Sequence, residues 1–141
     1  MTPMEMQEWI KINIKDPLPM DDKSRLYELL NVLSDDNSCT AYKDFAIKGL
    51  GMMATKYGTD SIILCGALSL IKDQLSSSNP ILIAQSIRTL TCIANNGGDQ
   101  DIIQEKLHIL VRNIISEKST PNYVKEMGLP FYFKISDMEK V

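Results

Sequence analysis

Apolar residues recur along most of the chain with the three- and four-residue spacing of helices that bury one face. The run 23–34 is the clearest example, because its four leucines fall on one stripe. Polar breaks rich in serine, asparagine, glycine and proline separate this run from later ones. The pattern predicts further helices over 40–57 and 80–95 and around 68–75 and 107–115, with inward-facing residues Phe45, Ala46, Leu50, Met53, Ala54, Leu68, Ile71, Leu75, Ile83, Ile87, Leu90, Ile93, Leu107, Leu110, Val111, Ile114 and Ile115.

The remaining segments predict shorter or interrupted helices. A helix is expected over the run 4–15, and a short one begins at residue 59 or 60 and continues to a break at Gly66. Pro130 falls where a helix interior is expected, so it should kink or end the last helix. The best strand candidate, 131–135, is a single segment that cannot form a sheet alone. We therefore predict an all-α fold.

Composition narrows the class of protein. The 141 residues suffice for one domain, and 44% of them are hydrophobic, which is enough for a packed core. The net charge of −3 and the 6% aromatic content argue against nucleic-acid binding, which needs a basic face and stacking platforms. No run is apolar enough for membrane insertion. The three widely spaced cysteines are expected to be reduced, which predicts a cytoplasmic protein, with the nucleus as the alternative.

The helical pattern repeats about every forty residues. A shift of forty places 46–54 on 86–94, with small, basic, sulfur-containing and apolar residues matching in character. The same shift places the isoleucine pair 62–63 on 102–103. Each unit is expected to contain a short, a medium and a long helix, in units of about 1–57, 58–98 and 99–141. One such unit cannot bury its own apolar face, so neighbouring units must stack.

The repeat resembles the armadillo family. The residues that carry this likeness are the run 65–71 (CGALSLI), the spacer 76–80 (SSSNP), and the run 87–94 with its trailing Asn-Asn-Gly-Gly. The resemblance implies a right-handed α-solenoid of about three units. The HEAT repeat, which is two-helical and of similar period, is the nearest alternative. The glycine before the medium helix, Gly66, favours armadillo.

The resemblance also implies a concave groove, lined by the long helices, that holds an extended peptide or another protein. Armadillo proteins that bind basic peptides carry a tryptophan and, four residues later, an asparagine on each long helix. These residues are absent at the matching positions, which are Lys48 and Met52, Arg88 and Cys92, and Leu129 and Phe133. We therefore do not expect binding of nuclear-localisation signals.

Basic residues occupy two of the matching positions instead. Lys48 and Arg88 would follow one another along the groove, and an acidic partner segment would complement them. The alternative is that both are ordinary solvated residues on helix faces. The predicted partner-binding set consists of Asp44, Lys48, Met52, Arg88, Thr91, Cys92, Asn95 and Asn96.

Candidate chemistry is sparse. The single histidine, His108, has no orienting acid or nucleophile in its neighbourhood along the chain, and we expect it on the surface of a medium helix. The cysteines lie in or beside apolar helical segments, where thiols are inert. No metal-ligand spacing or phosphate loop is found. We therefore predict no enzymatic activity, no cofactor and no metal.

The hypothesis that follows is a non-enzymatic interaction module, working as a scaffold or adaptor for a partner protein or peptide. The alternative is a chaperone cofactor or a nucleotide-exchange or GTPase regulator that grips a folded domain in the curved face. Homo-oligomers are also compatible with the sequence, because a short solenoid has two ends that can stack. The sequence leaves open the partner's identity and whether the chain is a piece of a longer array.

Overall fold

A computed structural model describes residues 20–60 and 66–139, and all regular structure in these ranges is helical, as predicted. The predicted helix over 4–15 and most of the short helix before Gly66 lie outside the described residues. A wide five-residue turn, Ala94–Gly98, joins two of the helices. The helices are, in chain order, α1 (Met20–Ser34), α2 (Thr40–Tyr57), α3 (Ala67–Leu75), α4 (Pro80–Ile93), α5 (Asp99–Gln104), α6 (Leu107–Ser116) and α7 (Asn122–Glu139).

Local chemistry explains where several helices begin and end. The side chain of Asn79 accepts a 2.9 Å hydrogen bond from the backbone N–H of Ile81, and Pro80 fills the first position of α4. Gly58 follows α2 with φ of +82°, a left-handed conformation that suits glycine. The predicted bounds of α2 are confirmed. The predicted end of α4 at residue 95 was two residues too late for the α-helix, because the chain widens at Ala94.

Pro130 does not end the last helix, so this part of the prediction was wrong. Helix α7 passes through Pro130 and continues to Glu139. Proline has no N–H group to donate to the carbonyl group of Glu126, four residues earlier. Both Glu126 and Pro130 are exposed, so solvent can hydrate that carbonyl group instead. Buried residues on both sides of the proline, including Gly128, Phe131 and Ile135, hold the two halves of α7 against neighbouring helices.

The helices contact one another in a regular order. Each medium helix packs against the long helix that follows it: α1 on α2, α3 on α4, and α6 on α7. The long helices also pack in chain order, with α4 in contact with both α2 and α7. The medium helices do the same, since α3 contacts both α1 and α6. Long helices that are successive along the chain are therefore neighbours in space, and so are successive medium helices.

Specific contacts join the long helices. The Thr89 hydroxyl in α4 donates a 2.8 Å hydrogen bond to the carbonyl oxygen of Ile47 in α2. Gly51 lies beside Thr89, where a methyl group would come within 3.2 Å of the threonine hydroxyl oxygen. Beyond the helix ends, Thr59 donates a 3.1 Å hydrogen bond to the carbonyl oxygen of Asn96. These contacts fix α2 and the turn after it against α4 and the turn after it.

The same backbone conformation precedes two of the medium helices. Gly66 comes immediately before α3 with φ of +79°, and Lys106 comes immediately before α6 with φ of +56°. These positions are forty residues apart, which is the period of the sequence repeat. Lys106 is the one non-glycine residue with positive φ in the described ranges. The chain therefore makes the same left-handed turn immediately before two successive medium helices.

Most of the predicted core is confirmed, with one clear error. The leucine stripe of α1 is buried, and so are Leu50 and Leu90 in the long helices. The predicted inward position of Phe45 was wrong, because its side chain is 71% exposed. Four other residues that were predicted to face inward are only half-buried: Ile83, Leu110, Ile114 and Ile115.

Candidate functional site

The exposed large apolar side chains of the described residues all lie on the three long helices. Single exposed apolar residues are common on protein surfaces, but their restriction to one set of helices is not expected by chance. The long helices make up less than half of the described residues. The set comprises Tyr42, Phe45 and Met52 on α2, Ile81 on α4, and Tyr123, Leu129 and Phe133 on α7.

Helix phase explains how α2 presents two of these side chains. Phe45 and Met52 are seven residues apart, which is close to two helical turns, so they lie on one stripe. The buried residues Ile47, Leu50 and Ala54 occupy the opposite side of the helix, where α2 meets its neighbours. We call the exposed stripes of α2, α4 and α7 the long-helix surface.

Two of the predicted site residues of α2, Lys48 and Met52, lie on this surface, whereas Asp44 is half-buried. Met52 is 73% exposed. Lys48 is exposed, and its ammonium nitrogen lies 3.2 Å from Oδ2 of Asp44, one helical turn earlier. Lys48 therefore already has a carboxylate partner within its own helix, and its charge is partly neutralised.

The predicted site residues of α4 and of the turn after it differ in their exposure to solvent. Arg88 and Asn95 are exposed, and Cys92 is a half-buried free thiol. The Thr91 hydroxyl donates a 3.0 Å hydrogen bond to the carbonyl oxygen of Ile87 in its own helix.

Asn96 has a structural position in the wide turn after α4. Its side-chain amide donates a 2.7 Å hydrogen bond to the carbonyl oxygen of Cys92. Its own carbonyl oxygen accepts the hydrogen bond from Thr59. The side-chain NH2 group and the backbone carbonyl of Asn96 therefore both help to hold the turn.

A cleft of about 260 Å³ lies between α4 and α7. Phe131 is buried and Met127 half-buried at this cleft, which gives it an apolar base. The polar or charged side chains lie on both helices. The residues that line the cleft are Arg88, Thr91, Glu126, Met127, Pro130, Phe131 and Lys134.

Charge is distributed unevenly between the long helices and the rest of the chain. The three long helices carry six lysine or arginine residues and four aspartate or glutamate residues. The other residues of 20–60 and 66–139 carry six basic and eleven acidic residues. The long helices are therefore net positive in a chain whose overall charge is −3. An acidic partner would be attracted to these helices more than to the others.

Two cations of the cleft have no ion-pair partner among the described residues. Arg88 on α4 is exposed, and Lys134 on α7 is half-buried. In contrast to Lys48, neither forms a salt bridge with a carboxylate within 24–60 or 66–139. Their charges are available to a partner.

The prediction that His108 lies on the surface was wrong. Its side chain is 1% exposed, and Nε2 lies 2.6 Å from Oε2 of Glu139 at the end of α7. The other ring nitrogen, Nδ1, is buried and has no hydrogen-bond partner within the described residues. The pair ties α6 to the last turn of α7, across 31 residues of sequence.

No group of three or more histidine, cysteine, aspartate or glutamate side chains that could hold a metal ion is found in the part of the chain that the structure describes. Cys39 and Cys92 are free thiols, while Cys65 lies outside that part. Within the described ranges, no helix has the length and apolar character needed to cross a membrane.

The sequence prediction missed most of the α7 side of the surface. Lys134, Met127 and Pro130 were not among the predicted site residues, although they line the cleft. Helical phase contained part of this information, because the buried residues Val124, Gly128, Phe131 and Ile135 define which side of α7 is covered. This phase was not used because Pro130 was expected to disrupt the helix.

Comparison of the chain with models of protein families, with curated proteins and with solved structures gives no match.

Proposed function

We propose that this chain is a short right-handed α-solenoid of armadillo-like units and a non-enzymatic protein-interaction module. The order of helix contacts supports the repeat arrangement, since medium helices follow medium helices and long helices follow long helices. The shared left-handed turns at Gly66 and Lys106 support the same period. The function proposed for the long-helix surface is to bind a partner protein.

One observation carries the functional part of the proposal. All exposed large apolar side chains within 24–60 and 66–139 lie on the long helices. An exposed phenylalanine or methionine leaves apolar area in water that a partner can cover, and each fully covered side chain stabilises a complex by about 1.5–3 kcal/mol before other costs. Phe45, Met52 and Phe133, which are each more than half exposed, are the best candidates for such contacts.

Substitution of one apolar residue on each long helix tests the proposal. Phe45, Ile81 and Phe133 are exposed, so changing all three to serine should leave the fold intact. The control changes one exposed basic residue on each medium helix to serine: Arg25, Lys72 and Arg112.

The readout is affinity capture from a lysate of the source cell, with quantitative mass spectrometry. We expect the long-helix variant to lose the proteins that the wild-type chain captures, and the control variant to keep them. Circular dichroism should show the same helix content for all three proteins. Equal capture by wild type and the long-helix variant would refute the proposal.

A further inference from the structure

The cleft between α4 and α7 offers an apolar contact and a positive charge in the same place. Phe131 and Met127 give the apolar base, and Pro130 adds the exposed ring of an imino acid at one side. The cleft volume of about 260 Å³ is close to the volume of one large amino-acid residue, and it is too small for a helix or a strand. The cleft therefore suits one protruding apolar group.

The positive charge comes from both helices. Arg88 reaches the cleft from α4 and Lys134 from α7, and neither has an ion-pair partner within the described ranges. Glu126 also lines the cleft, eight residues before Lys134 and so about 12 Å away along the helix axis. The cleft thus has a positive end at Lys134 and a negative end at Glu126.

We propose that this cleft binds a segment of a partner protein that carries an apolar side chain next to a carboxylate. The apolar side chain would enter the cleft against Met127 and Pro130, and the carboxylate would pair with Arg88 and Lys134. Arginine can hold a carboxylate with two parallel hydrogen bonds, which gives the contact direction as well as energy. This inference rests on the proposed function and names the chemistry of the partner.

A protein segment fits these features better than a nucleic acid does. Nucleic-acid binding needs many cations along a phosphate backbone, whereas two cations and one anion line this cleft. The bases of a single strand also need exposed aromatic platforms, and Phe131 is buried. The acidic and apolar partner is therefore the occupant that the charges and the cleft favour together.

A displayed library of random short peptides, selected on the immobilised full chain, tests the inference. We expect the enriched peptides to carry aspartate or glutamate beside leucine, phenylalanine or tryptophan. The most enriched peptide, labelled with fluorescein, is then titrated with four variants and followed by fluorescence anisotropy. Arg88→Glu should weaken its binding about fivefold, because it reverses a charge, and Lys134→Gln about twofold, because it only removes one; both effects are in the range of ion pairs that solvent can reach.

Two further variants make the test specific to the cleft. Glu126→Gln should strengthen binding about twofold, because it removes a negative charge near the acidic peptide. Lys72→Glu on α3 changes the net charge as much as Arg88→Glu does, and should leave binding within twofold of wild type. An equal effect of Lys72→Glu and Arg88→Glu would overturn the inference.

Other outcomes would also overturn it. These are the absence of enrichment, the enrichment of basic or uncharged peptides, and competition by a single-stranded oligonucleotide that Arg88→Glu abolishes. The result is separable from that of the proposed function. If the serine variant of the long-helix surface loses its captured proteins but the selected peptides are not acidic, the docking surface stands and the cleft inference fails.

Discussion

The Thr89 hydroxyl of α4 donates its hydrogen to the backbone carbonyl of Ile47 in α2, over a distance of 2.8 Å. Thr89 is 2% exposed, and Ile47 is fully buried. The bond joins two long helices through residues that are 42 positions apart in sequence. It is therefore a direct contact between successive units of the proposed repeat.

Removal of this hydroxyl should weaken the contact between the units. Thr89→Val keeps the shape of the side chain and deletes the hydrogen bond, so the free energy of unfolding should fall by about 1 kcal/mol. Thr91→Val is the matched control, because the Thr91 hydroxyl bonds within its own helix to Ile87. Urea denaturation should show a loss of less than about 0.5 kcal/mol for the control. Equal losses for both variants would contradict the inter-unit role of Thr89.

Gly128 allows α7 to lie close to α6. A methyl group on Gly128 would lie 2.5 Å from Cγ2 of Ile115 and 3.2 Å from Cγ1 of Val111. Cγ2 is attached to the branched carbon of isoleucine, which is stiff, so the neighbour cannot rotate away freely. Because a 2.5 Å contact is a severe overlap, its cost should lie towards the upper end of about 1–3 kcal/mol, which exceeds the gain of about 1 kcal/mol in helix propensity.

Gly128→Ala should therefore lower the free energy of unfolding in a urea titration. Gly49→Ala provides the comparison, since its nearest contact is the far end of the flexible Leu29 side chain at 2.8 Å. That side chain can shift, so Gly49→Ala should be neutral or slightly stabilising. A neutral effect at Gly128 would mean that α6 and α7 pack less closely than described.

Because Gly66 and Lys106 share a left-handed conformation, adding a side chain at Gly66 and removing one at Lys106 should change the free energy of unfolding in opposite directions. Gly66→Ala places a side chain at φ of +79° in open space, so its cost of about 1 kcal/mol is conformational alone. Lys106→Gly relieves the same strain before α6, and should raise the free energy of unfolding by about 0.5 kcal/mol after the entropy of glycine is included. Chemical denaturation of the two variants should give changes of opposite sign. Changes of the same sign would contradict the equivalence of the two turns.

The contact between His108 and Glu139 predicts local stabilisation of the end of α7. Glu139→Ala leaves Nε2 of a buried imidazole without its carboxylate, which should cost about 1 kcal/mol. Amide hydrogen exchange should become faster in the last turns of α7, near Ile135. Glu139→Gln keeps an oxygen acceptor, so the amide hydrogens in the last turns of α7 should exchange more slowly in this variant than in Glu139→Ala. Identical exchange in wild type and Glu139→Ala would show that the pair does not hold the helix end.

The helices were predictable from the sequence because their apolar stripes are regular. Leu26, Leu50 and Leu90 are all buried as predicted. Phe45 was misplaced because its apolar character was given more weight than its phase: it lies on the side of α2 opposite Leu50. The exposure of an apolar residue is a feature that hydropathy alone does not indicate.

The rest of the candidate site depends on contacts between distant segments. His108 lies where α6 packs against α7, and the cleft forms where α4 packs against α7, so that Arg88 and Lys134 both line it. Neither packing contact is expressed in the local pattern of one helix. The sequence could place Arg88 on an exposed stripe. Which residues of α7 lie near Arg88 can be known only from the packing of α4 against α7.

The central claim is that partners bind the long-helix surface, and site-specific photo-crosslinking tests it most directly. Benzoylphenylalanine replaces one residue at a time, at Phe45, Met52 or Phe133 on the long helices, or at Arg25, Lys72 or Arg112 on the medium helices. Irradiation in the source cell, followed by mass spectrometry, identifies the proteins attached at each position. The account predicts a shared partner at the three long-helix positions and none at the other three. Attachment of the same partners at the medium-helix positions alone would contradict it.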